Sequence, residues 1–125
     1  MKWGCYASYP RRYHGGVLTS LKFWFAVRRA RREIQAIARR HCPNAEVSSR
    51  RGATLKQLSF RIAVNTDKER DSMRAEPNLY RQFSDALVRV GYPSDAAPHA
   101  HFRIESQQTV DRDYGGSWQE ESEMP

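Results

Sequence analysis

Residues 58–69 read LSFRIAVNTDKE, and this stretch has the clearest structural pattern in the chain. Its larger apolar residues alternate with Ser59, Arg61 and Ala63, which is the period of a strand with one buried face. Thr66 and Glu69 follow as the T-x-x-E pattern of a capping box, which marks a turn after the strand. The stretch therefore predicts a half-buried strand that ends in a capped turn.

A helix is predicted downstream of this turn. Pro77 disfavours one continuous helix over 67–90, but it suits the first turn of a new helix. Gly91 and Pro93 predict where this helix ends, because glycine takes the left-handed position after a helix and proline cannot continue one. The predicted buried face consists of apolar residues at helical spacing, namely Leu79, Phe83, Ala86, Leu87 and Val90.

Residues 99–105 predict a second half-buried strand. Ala100, Phe102 and Ile104 alternate there with histidine and charged residues. The following residues, 107–118, contain Gly115 and Gly116 and predict a hairpin return.

Upstream, apolar residues from Phe23 to Ile37 recur at steps of three and four, which is typical of one helical stripe. We expect a helix from Ser20 to His41, ended by the proline that follows. The alternative is a strand over 17–27 that precedes a shorter helix over 28–41. Residues 43–52 are rich in serine and arginine and are predicted as a break between elements.

The order helix, strand, helix, strand predicts a small two-layer α+β domain with helices packed on one face of a short sheet. Because both strands alternate, the other face of the sheet is expected to be wet or covered by something external. We expect an irregular basic and aromatic arm over 1–16, one domain over 17–118, and an acidic disordered tail over 119–125.

Charge divides the chain into two unequal halves. The formal net charge is +7 overall, but residues 1–61 hold fourteen Lys or Arg against two acidic residues. Residues 62–125 hold seven basic and twelve acidic residues. The front half is therefore about +12 and the rear half about −5. The two halves are expected either to contact different partners or to neutralise each other.

Several classes of protein are disfavoured. The 2 cysteines, Cys5 and Cys42, allow one disulfide at most and are expected as free thiols. The longest apolar run, residues 23–27, is far shorter than the ~20 residues of a membrane span. The first residues lack the apolar run of a signal peptide, so a cytoplasmic protein is expected. No phosphate-binding glycine loop, dinucleotide fingerprint or nucleophile elbow is present, and no cofactor is predicted.

A cluster of arginines is the main functional signal. Arginine forms bidentate contacts with phosphate and carboxylate groups, and many arginines on one helix favour nucleic acid in a salt-dependent way. The arm adds aromatic residues beside charge, a mixture typical of single-strand binding. The chain lacks the motifs of RRM, KH, zinc-finger and homeodomain proteins. The predicted nucleic-acid-binding residues are Arg11, Arg12, Arg28, Arg29, Arg32, Arg39 and Arg40.

A second signal is the pair His99 and His101, which would share one face if they lay on one strand. The motif resembles the His-hydrophobic-His strand of metal-dependent DNA endonucleases and transposases that use a tyrosine nucleophile. That resemblance implies metal binding by the two histidines and attack by a tyrosine, for which the candidates here are Tyr80, Tyr92 and Tyr114. The alternative is that both histidines only fill the outer side of the strand.

The leading hypothesis is thus a non-enzymatic binding module for an anionic partner, with nucleic acid as the favoured partner. The alternative is a protein-interaction role, such as a toxin-neutralising or immunity-type partner or an assembly subunit, which meets an acidic protein surface. A metal-dependent nuclease that uses His99 and His101 is the third hypothesis. Residues 106–118, rich in hydrogen-bonding side chains, are either a binding loop or a segment that closes the domain with Trp118 folded onto the core.

Overall fold

The structure is a computed structural model that describes residues 14–123 and the side chains of residues 23–122. It confirms the small α+β fold predicted from the sequence. In chain order its elements are α1 (His14–His41), β1 (Glu46–Arg51), β2 (Leu58–Val64), α2 (Asp67–Arg74), α3 (Leu79–Arg89), a 3₁₀ turn (Ala97–His99), β3 (His101–Ser106), α4 (Gln107–Asp113) and α5 (Trp118–Glu123).

The three strands form one mixed sheet in the order β1-β2-β3. Strands β1 and β2 pair antiparallel, with Val47 opposite Ile62. Strands β2 and β3 pair parallel, with Ile62 opposite Ile104. A parallel pair needs a crossover connection, and here helices α2 and α3 provide it.

The core lies between one face of the sheet and helices α1 and α3. The alternation predicted for β2 is observed, because Leu58, Phe60, Ile62 and Val64 are all buried. The Phe60 ring stacks on Phe102 with centroids 5.5 Å apart. The predicted apolar face of α3 is also buried, from Leu79 to Val90.

The predicted capping box is present, where it begins helix α2 and not merely a turn, and the predicted end of α3 is present as well. Thr66 and Glu69 form the reciprocal capping box at the start of α2. At the end of α3, Gly91 has a φ of 101°, which only glycine adopts at low cost. The Tyr92 N–H donates to the Leu87 carbonyl at 3.2 Å, which together with the Gly91 N–H closes a Schellman motif.

Helix α1 begins earlier than the sequence predicted. It starts at His14, so residues 14–16 are helical and not part of the irregular arm, and the alternative strand over 17–27 is wrong. Once a helix has formed, each further residue adds one hydrogen bond, so extension is easier than nucleation. Helix α1 can therefore extend towards its N-terminus beyond the residues with a clear apolar pattern. Residues 1–13 of the predicted arm lie outside the described residues.

The predicted break over 43–52 contains strand β1. Only Val47 of this strand is buried, so the apolar alternation that identifies a half-buried strand is missing. The strand is held at the sheet edge by its ladder with β2. A strand formed by backbone pairing, with few apolar side chains, leaves little trace in the sequence.

The C-terminal region is helical where a hairpin and a disordered tail were predicted. Helix α4 replaces the hairpin, because the Ser106 side chain accepts from the Thr109 N–H at 3.0 Å and caps its start. Helix α5 (Trp118–Glu123) includes residues 119–123 of the predicted tail.

Two smaller findings complete the fold. Pro77 does separate α2 from α3, but it precedes the N-cap Asn78 and so lies before the first turn of α3. Within residues 14–123, no helix combines the length and apolar character that crossing a membrane requires.

Candidate anion-binding surfaces

The outer face of α1 is the first candidate surface. The helix buries one stripe against the sheet and α3, with Ala30, Ile34 and Ala38 fully buried. The residues opposite this stripe must face solvent, because 3.6 residues complete a turn. Arg28, Arg32 and Arg39 are exposed on this outer face, and Arg29 and Arg40 are exposed along one flank of it. We call this set the helix arginines.

Only one of the helix arginines has an acidic partner among residues 23–122. Arg39 donates to Glu46 at 2.7 Å and to the Ala45 carbonyl at 2.9 Å, which ties the end of α1 to the start of β1. Arg28 instead lies over the ring of Trp24, 4.8 Å from its centroid. The structure therefore keeps five predicted residues on one helix but gives Arg39 a structural role as well.

Two large aromatic side chains are exposed beside the helix arginines. Trp24 is 38% exposed and Phe25 is 54% exposed, and their rings meet edge to face at 5.1 Å. Exposed aromatic rings next to arginine provide the stacking surfaces that nucleic-acid bases use. The other two predicted binding residues, Arg11 and Arg12, lie outside the described residues.

The acidic half of the chain does not neutralise the helix arginines within the described structure. Its carboxylates pair mainly with arginines of the same half, around Asp67 at the start of α2. Arg112 donates to Asp67 at 2.9 Å, and Arg70 donates to Glu105 at 2.8 Å. Hydrogen bonds from Ser106, Thr109 and Arg112 hold the pKa of Asp67 well below its usual range. This cluster ties α2 to β3 and α4.

The open face of the sheet is the second candidate surface. Side chains alternate between the two faces of a strand, so the residues between the buried ones share the face opposite α1. On this face Ser48, Arg61 and Arg103 stand in one row across the three strands, according to the register. Arg50, Ser59 and His101 form the next row. These two rows place three arginines and a histidine side by side.

A groove with a volume of about 730 Å³ runs over these two rows. Helix α5 contributes Gln119 and Ser122 to its wall. The described residues that line the groove include three arginines and no acidic residue. We call it the sheet groove.

Helix α5 is held to the open face by two of the groove arginines. Arg103 forms an ion pair with Glu121, which is 6% exposed. Arg61 donates to the Ser122 hydroxyl at 3.2 Å and lies over the Trp118 ring, 4.7 Å from its centroid. Trp118 therefore packs on the face of the sheet opposite the main core, so the alternative in which it folds onto that core as a lid is wrong.

Burial and neighbouring positive charge act on two of the groove arginines, Arg61 and Arg103. Burial lowers the pKa of Arg61 below its ordinary value, and the nearby Arg50 lowers it further. Burial likewise lowers the pKa of Arg103, and the adjacent Arg61 adds to this effect. Both remain charged at neutral pH because arginine has a very high intrinsic pKa.

The sequence did not identify the sheet groove. Arg61 is among the residues that alternate with the apolar ones in the first predicted strand, and Arg103 is one of the charged residues that do so in the second, but the two are far apart in the chain. Their proximity depends on parallel pairing between β2 and β3, and Arg50 joins them only through the unpredicted β1. The sequence feature that indicates the groove is an outward-facing arginine on each of three strands. It becomes recognisable only when the register of the strands is known.

The predicted histidine pair does not share a strand. Strand β3 begins at His101, whereas His99 ends the preceding 3₁₀ turn, in which Pro98 interrupts the extended backbone. The geometric argument for two histidines on one strand face is therefore wrong. Within the described part of the chain, no group of three or more histidine, cysteine or acidic side chains could hold a metal ion.

Two other predicted chemical groups have structural roles. The Tyr92 hydroxyl donates to the Leu55 carbonyl, and the ring is buried. Cys42 is a free, buried cysteine, and burial raises the pKa of its thiol. Cys5 lies outside the described residues.

Comparison with known proteins found no matching family model, no matching curated protein and no matching solved structure. Functional inference therefore depends on the two basic surfaces themselves.

Proposed function

We propose that the protein is a non-enzymatic module that binds nucleic acid through the outer face of α1. One observation carries the proposal. Arg28, Arg29, Arg32 and Arg40 are exposed on a single helix and have no acidic partner among residues 23–122, beside the exposed rings of Trp24 and Phe25.

The charge distribution supports a polyanionic partner. Unpaired arginines concentrated on one helix repel one another, and an anionic partner relieves that repulsion. The acidic residues of the second half could have supplied such relief, but in the described structure they pair around Asp67 and with Arg103. Among the described residues, the helix arginines other than Arg39 thus remain available to an external anion.

The dimensions of the surface suit a nucleic-acid backbone. Arg28 and Arg39 share the outer face and are eleven residues apart, which corresponds to roughly 16 Å along a helix at 1.5 Å per residue. Phosphates of one strand follow at about 3.4 Å along a duplex axis, so this length spans several of them. The helix can therefore contact several phosphates together.

The aromatic pair favours nucleic acid over an acidic protein surface. Base stacking on an exposed aromatic side chain is worth about 1–3 kcal/mol, and it does not depend on base identity. Trp24 and Phe25 adjoin the arginines on the same helix. The immunity-type, assembly-subunit and nuclease hypotheses remain predictions from the sequence that no described contact favours.

The test is a salt titration of binding by the full chain. Binding of labelled single-stranded and duplex oligonucleotides is measured by fluorescence anisotropy from ~50 to ~200 mM salt. The double variant Arg28→Gln/Arg32→Gln removes two neighbouring charges of the outer face. Each lost phosphate contact reduces the slope of log affinity against log salt by about 0.9 on duplex DNA, so a reduction of about 2 is expected.

The matched control is Lys68→Gln/Arg81→Gln, which removes the same charge from exposed positions on α2 and α3. Its affinity should stay within about twofold of the unmodified protein. Equal losses in the two double variants would show that net charge alone drives binding and would contradict the assignment to α1. Absence of binding at ~50 mM salt would overturn the proposal.

A further inference from the structure

The sheet groove is a separate basic site on the opposite side of the sheet from α1. Its cations are fixed by the sheet register, which places Arg61 directly opposite Arg103 on neighbouring parallel strands. Neighbouring strands are about 4.8 Å apart, and like charges directly opposite one another destabilise a sheet. Arg50 extends the group. It lies on the same face of the sheet, two residues after Ser48, which is the β1 partner of Arg61.

The internal partners of these arginines do not balance their charge. Within residues 23–122, Glu121 is the one carboxylate that pairs with a groove arginine, and it contacts Arg103. Arg61 has a neutral hydroxyl and an aromatic ring as partners. Arg50 has no acidic partner among these residues. Three guanidinium groups thus share one carboxylate.

The other lining groups suit an anion with several oxygen atoms. Ser48 and Ser59 stand in the same two rows as the arginines and offer hydroxyl donors. His101 is exposed at the edge of the groove. Guanidinium groups bind phosphate through two parallel N–H donors, and hydroxyl groups complete such sites. The volume of about 730 Å³ lies within the range of about 300–1,000 Å³ for small-molecule sites.

We infer that the sheet groove binds the phosphoryl group of a phosphate ester, held by Arg50, Arg61 and Arg103. A bound phosphate supplies the negative charge that the described groove lacks, and it offsets the repulsion between Arg61 and Arg103. The inference does not depend on the function proposed for α1, because the two surfaces share no residue and face opposite sides of the sheet.

Trp118 provides a reporter beside the groove, since its ring lies against the groove residue Arg61. The chain has 3 tryptophans, so Trp3→Phe/Trp24→Phe leaves Trp118 as the only one. Titration of this variant with inorganic pyrophosphate should give a saturable change in tryptophan emission. Arg61→Gln should weaken binding about tenfold or more, because it removes a charge-assisted donor.

Arg50→Gln is the second test variant, because Arg50 is exposed and makes no ion pair with residues 23–122, so its loss leaves the fold intact. It should also weaken pyrophosphate binding, whereas the control Arg81→Gln on α3 should not. An absence of saturable change at millimolar pyrophosphate, or equal affinity in Arg50→Gln and its parent, would overturn the inference.

Competition against bound pyrophosphate then identifies the source of the phosphate. A mononucleotide that displaces pyrophosphate better than an oligonucleotide would assign the groove to a small phosphate ester. A 5′-phosphorylated oligonucleotide that competes better would assign it to a strand end, and failure of both would contradict the inference. The variant Arg28→Gln/Arg32→Gln should leave pyrophosphate binding unchanged, which separates this test from that of the proposed function.

Discussion

Replacement of Arg70 by methionine should test whether the cluster around Asp67 stabilises the fold through partly buried ion pairs. Arg70 donates to Glu105 at 2.8 Å and to the Thr109 hydroxyl at 2.6 Å. The Arg70 and Glu105 side chains are 15% and 13% exposed. The substitution keeps much of the aliphatic volume and leaves the Glu105 carboxylate without its nearest cation.

The expected loss follows from this degree of burial. Removing one partner from a buried ion pair costs about 3–5 kcal/mol, whereas a surface pair is worth about 0–1 kcal/mol. Glu105 also keeps a contact with Arg74 at 3.5 Å, so the penalty is not complete. We therefore expect Arg70→Met to lower the free energy of unfolding by about 2–3 kcal/mol, which corresponds to a fall in Tm of roughly 8–12 °C.

The assay is urea unfolding followed by circular dichroism, with Arg89→Met as the matched control. Arg89 pairs with Glu33 at 2.7 Å, but these side chains are 58% and 37% exposed. The same substitution there should cost less than about 1 kcal/mol. Addition of Glu105→Gln to Arg70→Met should recover part of the loss, because it removes a mostly buried carboxylate that has lost its nearest cation.

Equal losses in Arg70→Met and Arg89→Met would refute the reasoning, since burial would then not determine the cost. A further loss on addition of Glu105→Gln would refute it as well. Below its Tm, Arg70→Met should retain oligonucleotide binding, because Arg70 lies outside both basic surfaces.

Two further predictions concern acid sensitivity and a helix end. Hydrogen bonds from Ser106, Thr109 and Arg112 lower the pKa of Asp67 below its ordinary value of 3.8. The stabilisation is therefore fully present well above that pH and is lost progressively as the pH falls below it towards the lowered pKa of the folded state. Urea titrations at pH 7 and pH 3 should consequently differ less for Asp67→Asn than for the unmodified protein. Gly91→Ala should lower the free energy of unfolding by about 1 kcal/mol or more, because Gly91 has a φ of 101°, and thermal unfolding would contradict this if Tm were unchanged.

The elements predicted correctly from the sequence are those in which apolar side chains recur at the spacing of a strand or a helix. Strand β2, the buried face of α3 and the capping box at Thr66 were predicted because local pattern and tertiary role agree there. Strand β1 and helix α5 were missed, since backbone pairing holds the first and contacts with Arg61 and Arg103 hold the second. Short elements of this kind owe their stability to tertiary contacts, which a local pattern does not contain.

The candidate site divides in the same way. The helix arginines all lie on one helix, so the helical period alone brings Arg28, Arg32 and Arg39 onto its outer face and places Arg29 and Arg40 along one flank. The sheet groove joins Arg50, Arg61 and Arg103 from three strands, and one of these strands was predicted as a break. Its detection required the register of the whole sheet.

The parallel pairing of β2 with β3 also has a consequence for the order of folding. Strands β1 and β2 are close in sequence, and their hairpin can close early, whereas Ser59 meets His101 only after the long crossover through α2 and α3 is placed. Distant pairings of this kind form late, because the entropy of loop closure is lost before their contacts are gained. During synthesis, Arg61 therefore emerges well before Arg103. An anion that needs both arginines would bind only those chains in which β3 has already paired with β2.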